Sequence, residues 1–262
     1  MKKLDLKKVT QYVEENIGDF HSKRLEKVNS IKLHDVLKSK NPYLFRAKNV
    51  VTASEIIEAI LSAYISSGEE TTFGNWLERL AIFINKSVFE GRKAGVEGND
   101  LDFDREGKRY IVTIKSGPNW GNDDQVKKMV TNFNTIRKRL KTSGAKEEIV
   151  CINGCCYGRS NEKSEYKSNG DYYKLCGQRF WELISNEKDL YTDLIIPIGH
   201  NADKKNEAFK KSYGELVNRL TKEFLESFCD EKGAIDWSKL LIFNSGTTET
   251  YRKAPEAEEK KN

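Results

Sequence analysis

The chain has 262 residues, with 45 Lys+Arg against 40 Asp+Glu, a net charge of +5 and 37% hydrophobic residues. It is too polar to sit in a membrane, and 12 Phe, 11 Tyr and 4 Trp are too many for a disordered chain. The length suits one large domain, or a domain with a helical annex, and five excess charges permit a nucleic-acid partner without demanding one.

Five cysteines (Cys151, Cys155, Cys156, Cys176 and Cys229) are an odd count, which argues against a disulfide framework and for a reducing, cytoplasmic setting. The first eight residues, Met1-Lys-Lys-Leu-Asp-Leu-Lys-Lys8, have no apolar core and do not read as a signal peptide. The longest apolar stretches, near residues 56–65 and 194–198, fall short of the roughly 18–20 residues that a bilayer requires. No membrane association is expected.

In chain order, residues 1–40 place Leu4, Val9, Val13, Ile17, Phe20, Leu25 and Val28 at helical spacing, predicting one or two amphipathic helices. Asn41-Pro42 breaks that pattern. Thr52-Ala-Ser-Glu55 reads as a capping box opening a helix that Ser-Ser-Gly68 ends. A third helix is expected over residues 73–89, with Trp76, Leu77, Leu80, Phe83, Ile84 and Val88 on one face. The texture then changes. Residues 95–100 are turn-like, 101–103 a short strand, 104–107 a hairpin loop, and 110–114 a strand rich in β-branched and aromatic residues. A Gly/Pro/Asn loop over 116–122 leads to a helix that Asp123 caps and that runs to Leu140. A buried strand at 148–157, a helix at 177–184, a short strand at 194–198 and a helix at 208–228 follow, and the charged tail from Arg252 is expected to be disordered. This alternation describes an α/β domain, a mixed sheet flanked by helices, with an N-terminal helical region.

The chemistry concentrates in Gly98-Asn-Asp100-Leu-Asp102-Phe103 and in Thr113-Ile-Lys115-Ser-Gly-Pro-Asn-Trp-Gly-Asn122. With a four-residue loop at 104–107, Phe103 pairs with Lys108 and Asp100 falls opposite Ile111, close to Thr113. The two-residue period then puts Asp100, Asp102, Ile111, Thr113 and Lys115 on one face. An acidic pair can hold Mg²⁺ through oxygen ligands, and a neighbouring lysine can orient a water and stabilise charge on a phosphate. A surface hairpin with a polar face fits the same spacing. The loop's glycines would let backbone N–H groups approach a ligand closely.

An Asp at the start of a hairpin and an x-Lys at the end of its second strand resemble the PD-(D/E)xK nuclease core. Five pieces resemble a subgroup of type II restriction endonucleases: Thr72-Phe-Gly74 ahead of Glu78, Asp100-Leu-Asp102, Ile114-Lys-Ser-Gly117, Cys156-Tyr-Gly158 and Cys176-Gly-Gln-Arg-Phe-Trp181. The resemblance implies a restriction-endonuclease-like fold and Mg²⁺-dependent hydrolysis of DNA at a short palindrome. It further implies a homodimer acting on double-stranded DNA, with a methyltransferase in the same system. It makes Asp100 the metal-ligating aspartate, with Asp102 as the alternative, and Lys115 the catalytic lysine. The usual acid two residues before the lysine is Thr113 here, so a second acid must come from elsewhere, and Glu78, at the border of the apolar arc of its helix, is the candidate. Residues 1–48 would form a helical region able to build a dimer, 49–250 the catalytic domain and 251–262 the tail. A repair or junction nuclease of the same core, and a non-catalytic DNA-binding protein that kept the fold, are the alternatives.

Between Gly107 and Lys141 nine basic residues meet two acidic ones, so the rest of the chain sums to −2 (5 − 7). Lys127, Lys128 and Arg137 are therefore expected on DNA phosphates, with Ser116, Asn119, Trp120, Asn122 and Gln125 reaching bases or backbone. The C-x3-C-C cysteine spacing is not that of a zinc knuckle, and no histidine is near enough to activate a thiol.

Overall fold

The computed structural model describes residues 2–93, 98–159, 166–167 and 170–247. Four helices come first: α1 (Leu6–Ser30), α2 (Leu33–Lys38), α3 (Pro42–Ala47) and α4 (Ala53–Phe89). The middle of the chain holds β1 (Leu101–Arg105), β2 (Lys108–Lys115), α5 (Asp123–Thr142), β3 (Glu148–Cys155), β4 (Tyr166–Lys167) and β5 (Tyr172–Cys176). Helices α6 (Gln178–Ser185), α7 (Leu190–Asp193), α8 (Ile195–Ile198), α9 (Ala202–Phe228) and α10 (Trp237–Ser245) complete it. Among the described residues no helix is long and apolar enough to cross a membrane.

The chain divides into two compact units, one from residues 1–20 and 70–202 and the other from the described residues among 21–69 and 203–262. Residues 48 and 49, where a domain boundary was expected, both lie inside the second unit.

In the first unit the strands run in the order β1-β2-β3-β5-β4. The β1/β2 and β5/β4 pairs are antiparallel, and β2/β3 and β3/β5 are parallel. Parallel neighbours need a long crossover, and α5 supplies it between β2 and β3. One sheet face buries Leu101, Phe103, Val112, Ile114 and Ile152 against Trp76, Leu80 and Ile84 of α4 and Phe180 and Trp181 of α6. The other buries Ile111 and Cys151 against Met129, Phe133 and Ile136 of α5. Those three lie four and three residues apart, a single stripe on a helix, and burying a ring such as Phe133 is worth about 1.5–3 kcal/mol. Both faces being covered explains why Ile111-Val-Thr-Ile114 is apolar on both sides.

The second unit packs Ile56, Ile57, Ile60 and Leu61 of α4 on Val36 of α2, Leu220 and Phe224 of α9 and Leu240 of α10. Asn244 Nδ2 donates to the carbonyls of Leu37, at 2.8 Å, and Lys40, at 3.0 Å, fixing α10 on the turn after α2.

Several elements differ from the expectation. The helices expected to part at Gly68 are one, the 37-residue α4. A helical glycine costs about 1 kcal/mol, less than the apolar burial on either side of it contributes. The capping box at its start is present, Thr52 Oγ1 accepting from Glu55 N–H and Glu55 Oε2 from Thr52 N–H. Asn41-Pro42 opens a helix as well as breaking one, because Asn41 accepts from the Tyr43 and Leu44 N–H groups and Pro42 needs no partner at the first position. Residues 194–198 are helical turn where a strand was expected: Pro197 cannot donate to a ladder, and Ile195 and Ile196 point into solvent. The final long helix begins at Ala202, earlier than residue 208. Residues 95–97 of the expected 95–100 turn, and the tail from Arg252, lie outside the described residues.

The β1–β2 hairpin turns tighter than the four-residue loop expected. Glu106 (φ 52°) and Gly107 (φ 75°) alone make the turn, both left-handed, a combination that matches the twist of paired strands. Phe103 therefore pairs with Tyr110, not Lys108, and Asp102 with Ile111. The slip is two residues, so each side chain keeps its face, and Asp100 moves from opposite Ile111 to the level of Thr113.

Candidate active site

The two aspartates of the hairpin have different surroundings. Asp102 is 9% exposed, and its carboxylate accepts from Arg109 Nε at 3.0 Å and Nη2 at 2.7 Å, with Arg92 at 3.6 Å. A bidentate carboxylate–guanidinium pair of this kind is strong and leaves little room for a cation. It also raises the Arg109 pKa, the hydrogen bonds to Asp102 being the largest cause. Asp102, expected as the alternative metal ligand, thus has both carboxylate oxygens engaged by Arg109. Asp100 sits just beyond β1. Its N–H donates to the Val112 carbonyl at 3.0 Å, and its carboxylate Oδ2 accepts from Ile114 N–H at 2.7 Å. The side chain so continues the ladder past the strand's end and places a carboxylate beside the residue preceding Lys115.

Thr113 is buried, and its hydroxyl donates to the Gly98 carbonyl at 2.7 Å. It ties down the segment leading into Asp100, and as a donor it is engaged away from any ligand. Next to it Asn99 is buried with its carboxamide oxygen unpartnered among the described residues.

Lys115 ends β2, and its ammonium lies 4.8 Å from the centre of the Trp120 ring. The ring's negative face attracts the cation and limits where the flexible side chain can go. Trp120 itself packs against the α5-side core, so its ring meets both Lys115 and the core. The loop between them is anchored by Lys174 of β5, whose Nζ donates to the Pro118 carbonyl at 2.7 Å. Gly117 is buried where a methyl group would overlap the Tyr157 ring. This glycine permits close packing of two loops.

Glu78 comes from α4, on the opposite side of the sheet. A Cβ on Gly74 would lie 3.2 Å from Ser116 Cβ, so α4 runs hard against the end of β2, and Glu78 stands one turn farther along the same helix face. It pairs with Lys93 at 3.4 Å and lies close enough to the Cys156 thiol to help raise its pKa, after burial and Cys155. Gly74 thus brings α4 to the end of β2, where Lys115 stands. Among the described residues no three His, Cys, Asp or Glu side chains gather into a metal-holding cluster.

The basic residues expected on DNA separate into two groups. Arg137 is turned inward, hydrogen-bonded to the Asp171 carbonyl and to Asn134 Oδ1, and so braces the start of β5. Lys108 pairs with Glu148 at 2.8 Å. Lys127, though 3.5 Å from Asp124, and Lys128 remain exposed on α5 with Lys138, Arg139 and Lys141. Asn122, not Asp123, caps α5: its Oδ1 accepts from Gln125 N–H and Gln125 Oε1 from Asn122 N–H, so both expected base-readers have an oxygen engaged in a capping box. Asn119 is exposed and Ser116 half-buried behind Gly74.

The sheet adds residues that the sequence alone did not show. The parallel register aligns Thr113 with Asn153 and Lys174, and Lys115 with Cys155 and Cys176. Burial pushes the Cys151 thiol up to about 11 and Cys155 to about 12, Cys176 adding to the latter, so these are protonated packing groups at neutral pH.

A mixed sheet covered by helices on both faces, with the Asp100 carboxylate bonded to the residue before Lys115 at a strand's end, defines an α/β protein with a polar edge there. The family model described as Type II restriction endonuclease EcoO109I matches residues 7–206. The chain belongs to that family and stands among the type II restriction endonucleases. No curated protein matches it.

Proposed function

We propose that the protein is a Mg²⁺-dependent restriction enzyme that hydrolyses both strands of double-stranded DNA at a short palindrome. It acts as a homodimer in the cytoplasm, beside a methyltransferase of the same system, and the two-fold symmetry of the site matches that of the dimer. The observation that carries this reading is the bond from Ile114 N–H to Asp100 Oδ2, 2.7 Å long, which sets a carboxylate next to Lys115 in a chain of this family.

The side chains suit a hard cation. Asp100 and Glu78 offer carboxylates and Asn99 a buried carboxamide oxygen with no partner among the described residues, and Mg²⁺ is commonly held by one or two carboxylates plus substrate phosphates and waters. Bound there, Mg²⁺ would polarise the phosphate and lower the pKa of a coordinated water. Lys115 donates hydrogen bonds to the phosphate oxygens, stabilising the charge that grows as water attacks phosphorus and the ester oxygen departs. Trp120 keeps that ammonium in place. Thr113, lacking a carboxylate, acts only by holding the Gly98–Asp100 segment.

Digestion of plasmid DNA with Mg²⁺ tests the proposal. Discrete bands are expected, and Lys115→Ala abolishes them while leaving DNA affinity within a few-fold. Smearing or structure-dependent cutting would indicate a repair-type nuclease. Binding without cutting would mean that Thr113 marks a chain that has lost catalysis.

A further inference from the structure

Outside residues 107–141 the chain is slightly acidic overall, but its carboxylates are unevenly spread. Between Asp35 and Glu55 stand Lys38, Lys40, Arg46 and Lys48, and no acidic residue. This stretch takes in the end of α2, the turn after it, α3 and the loop leading to α4, all within the second unit. Asn244 fixes the turn through the Leu37 and Lys40 carbonyls, and Asn41 caps α3, so the backbone carrying the four cations is held at two points.

None of the four forms an ion pair among the described residues. Three are steadied by rings instead. Lys38 Nζ lies 5.8 Å from the centre of Phe243, Lys40 Nζ 6.0 Å from that of Tyr64, and the Arg46 guanidinium carbon 5.6 Å from that of Trp237. A ring's negative face orients a cation without neutralising it. Glu55, the acid that closes the stretch, turns its carboxylate to the Val51 and Thr52 N–H groups. By contrast, Arg219 and Lys222 on α9 pair with Glu223 at 3.1 Å and Glu226 at 4.0 Å. Tyr43, 65% exposed, shares a helix face with Arg46 three residues on and brings a hydroxyl to the same surface.

Resting on the nuclease reading, we propose that this α2–α3 surface is a DNA contact carried by the second unit, with Lys38, Lys40, Arg46 and Lys48 on phosphates of the duplex. Gathered like charges repel one another, and a polyanion relieves that repulsion. A duplex carries one phosphate charge per roughly 1.7 Å of its axis, so it meets several cations at once without a fixed register. An acidic protein face would have to match each cation with its own carboxylate. The Arg46 guanidinium can donate two parallel hydrogen bonds to one phosphate, and the lysines act as point charges. Contacts of this kind add affinity without reading bases. The charge that reads on the sequence as one patch along α5 thus has a second part, in the helical unit.

The test is the salt dependence of binding to a linear plasmid fragment in Ca²⁺ without Mg²⁺, comparing wild type, Lys48→Gln, Arg46→Gln/Lys48→Gln and, as a control, Lys222→Gln. Each lost phosphate contact lowers the slope of log K against log salt by about 0.9, so the single variant falls by about 0.9 and the double by about 1.8, while the control keeps the wild-type slope. Lys48 is exposed, so its replacement leaves folding intact even if losing the Arg46–Trp237 contact unfolds the double variant. An unchanged slope in a folded Lys48→Gln protein, or an equal fall in the control, would overturn the surface assignment and leave the nuclease reading standing. An unchanged slope with a smaller mass by light scattering would overturn it too, by making the surface a contact between copies. A wild type with no salt-dependent DNA affinity would overturn both readings.

Discussion

Asp100 and Asp102 stand two residues apart on one face of the same hairpin, and they respond differently to the same substitution. Asp102→Asn keeps the shape but removes the charge from a carboxylate that accepts two bonds from Arg109 and faces Arg92. Breaking a buried pair costs about 3–5 kcal/mol; with the side chains of Asp102 and Arg109 11% and 21% exposed, some water screening remains, and we expect about 2–4 kcal/mol. At about 2–4 °C per kcal/mol for a unit of this size, Tm falls by about 4–16 °C. Asp100→Asn retains an oxygen for Ile114 N–H, so its stability changes by less than about 1 kcal/mol. Cleavage is nevertheless lost, because a carboxamide is a poorer ligand for a hard cation. Urea denaturation followed by circular dichroism gives the stabilities, and nicking of supercoiled plasmid in Mg²⁺ gives the activity below each variant's transition. An Asp102→Asn protein of unchanged stability without cleavage, beside an active Asp100→Asn protein, would reverse the assignment and refute the reasoning from hydrogen bonds.

Three further outcomes follow from the packing. Gly154→Ala pushes a methyl into the Phe180 ring, which is fully buried, and destabilises by about 1–3 kcal/mol in urea denaturation; a neutral effect would mean that α6 can shift away from β3. Asn122→Ala removes the cap of α5 and costs about 1 kcal/mol, with faster amide exchange confined to the first turn, whereas uniform exchange changes would contradict a local cap. The Cys151 and Cys155 thiols hold their protons more tightly folded than unfolded, so their contribution is complete below about pH 9 and is lost as pH rises through about 11 and 12. Unfolding free energy should fall by about 1.4 kcal/mol per thiol per pH unit above pH 9, and Cys151→Ala should remove one share; a profile flat from pH 8 to 10.5 would exclude this.

The parts of the fold visible in the sequence are those set by local patterns. Helix α5, strands β2 and β3 and the capping box at Thr52 each follow from residues within a few positions of one another. Strand β5 was not legible, because Tyr172-Tyr-Lys-Leu-Cys176 is a strand only by virtue of its parallel pairing with β3, a partner about twenty residues away. The continuity of α4 through Gly68 was hidden for a related reason: propensity weighs the glycine, while tertiary burial on both sides decides. The hairpin register depended on whether Asp104 and Arg105 belong to loop or strand, and only Glu106 adopting a left-handed φ settles that.

The same distinction separates Asp100 from Asp102, which composition and spacing treat as equivalent. What parts them is that Arg109, on the neighbouring strand, points at one and the free Ile114 N–H at the other. A two-residue change in register keeps every side chain on its face but exchanges its cross-strand partner, so face assignments survive where partner assignments do not. The tighter turn places Asp100 level with Thr113 and thereby next to Lys115, closer than the looser hairpin would have set it. Thr113 then fixes the approach to Asp100 through Gly98, and a second acid, where the proposed chemistry needs one, must come from another element, Glu78 of α4 being the candidate because Gly74 brings that helix against the end of β2.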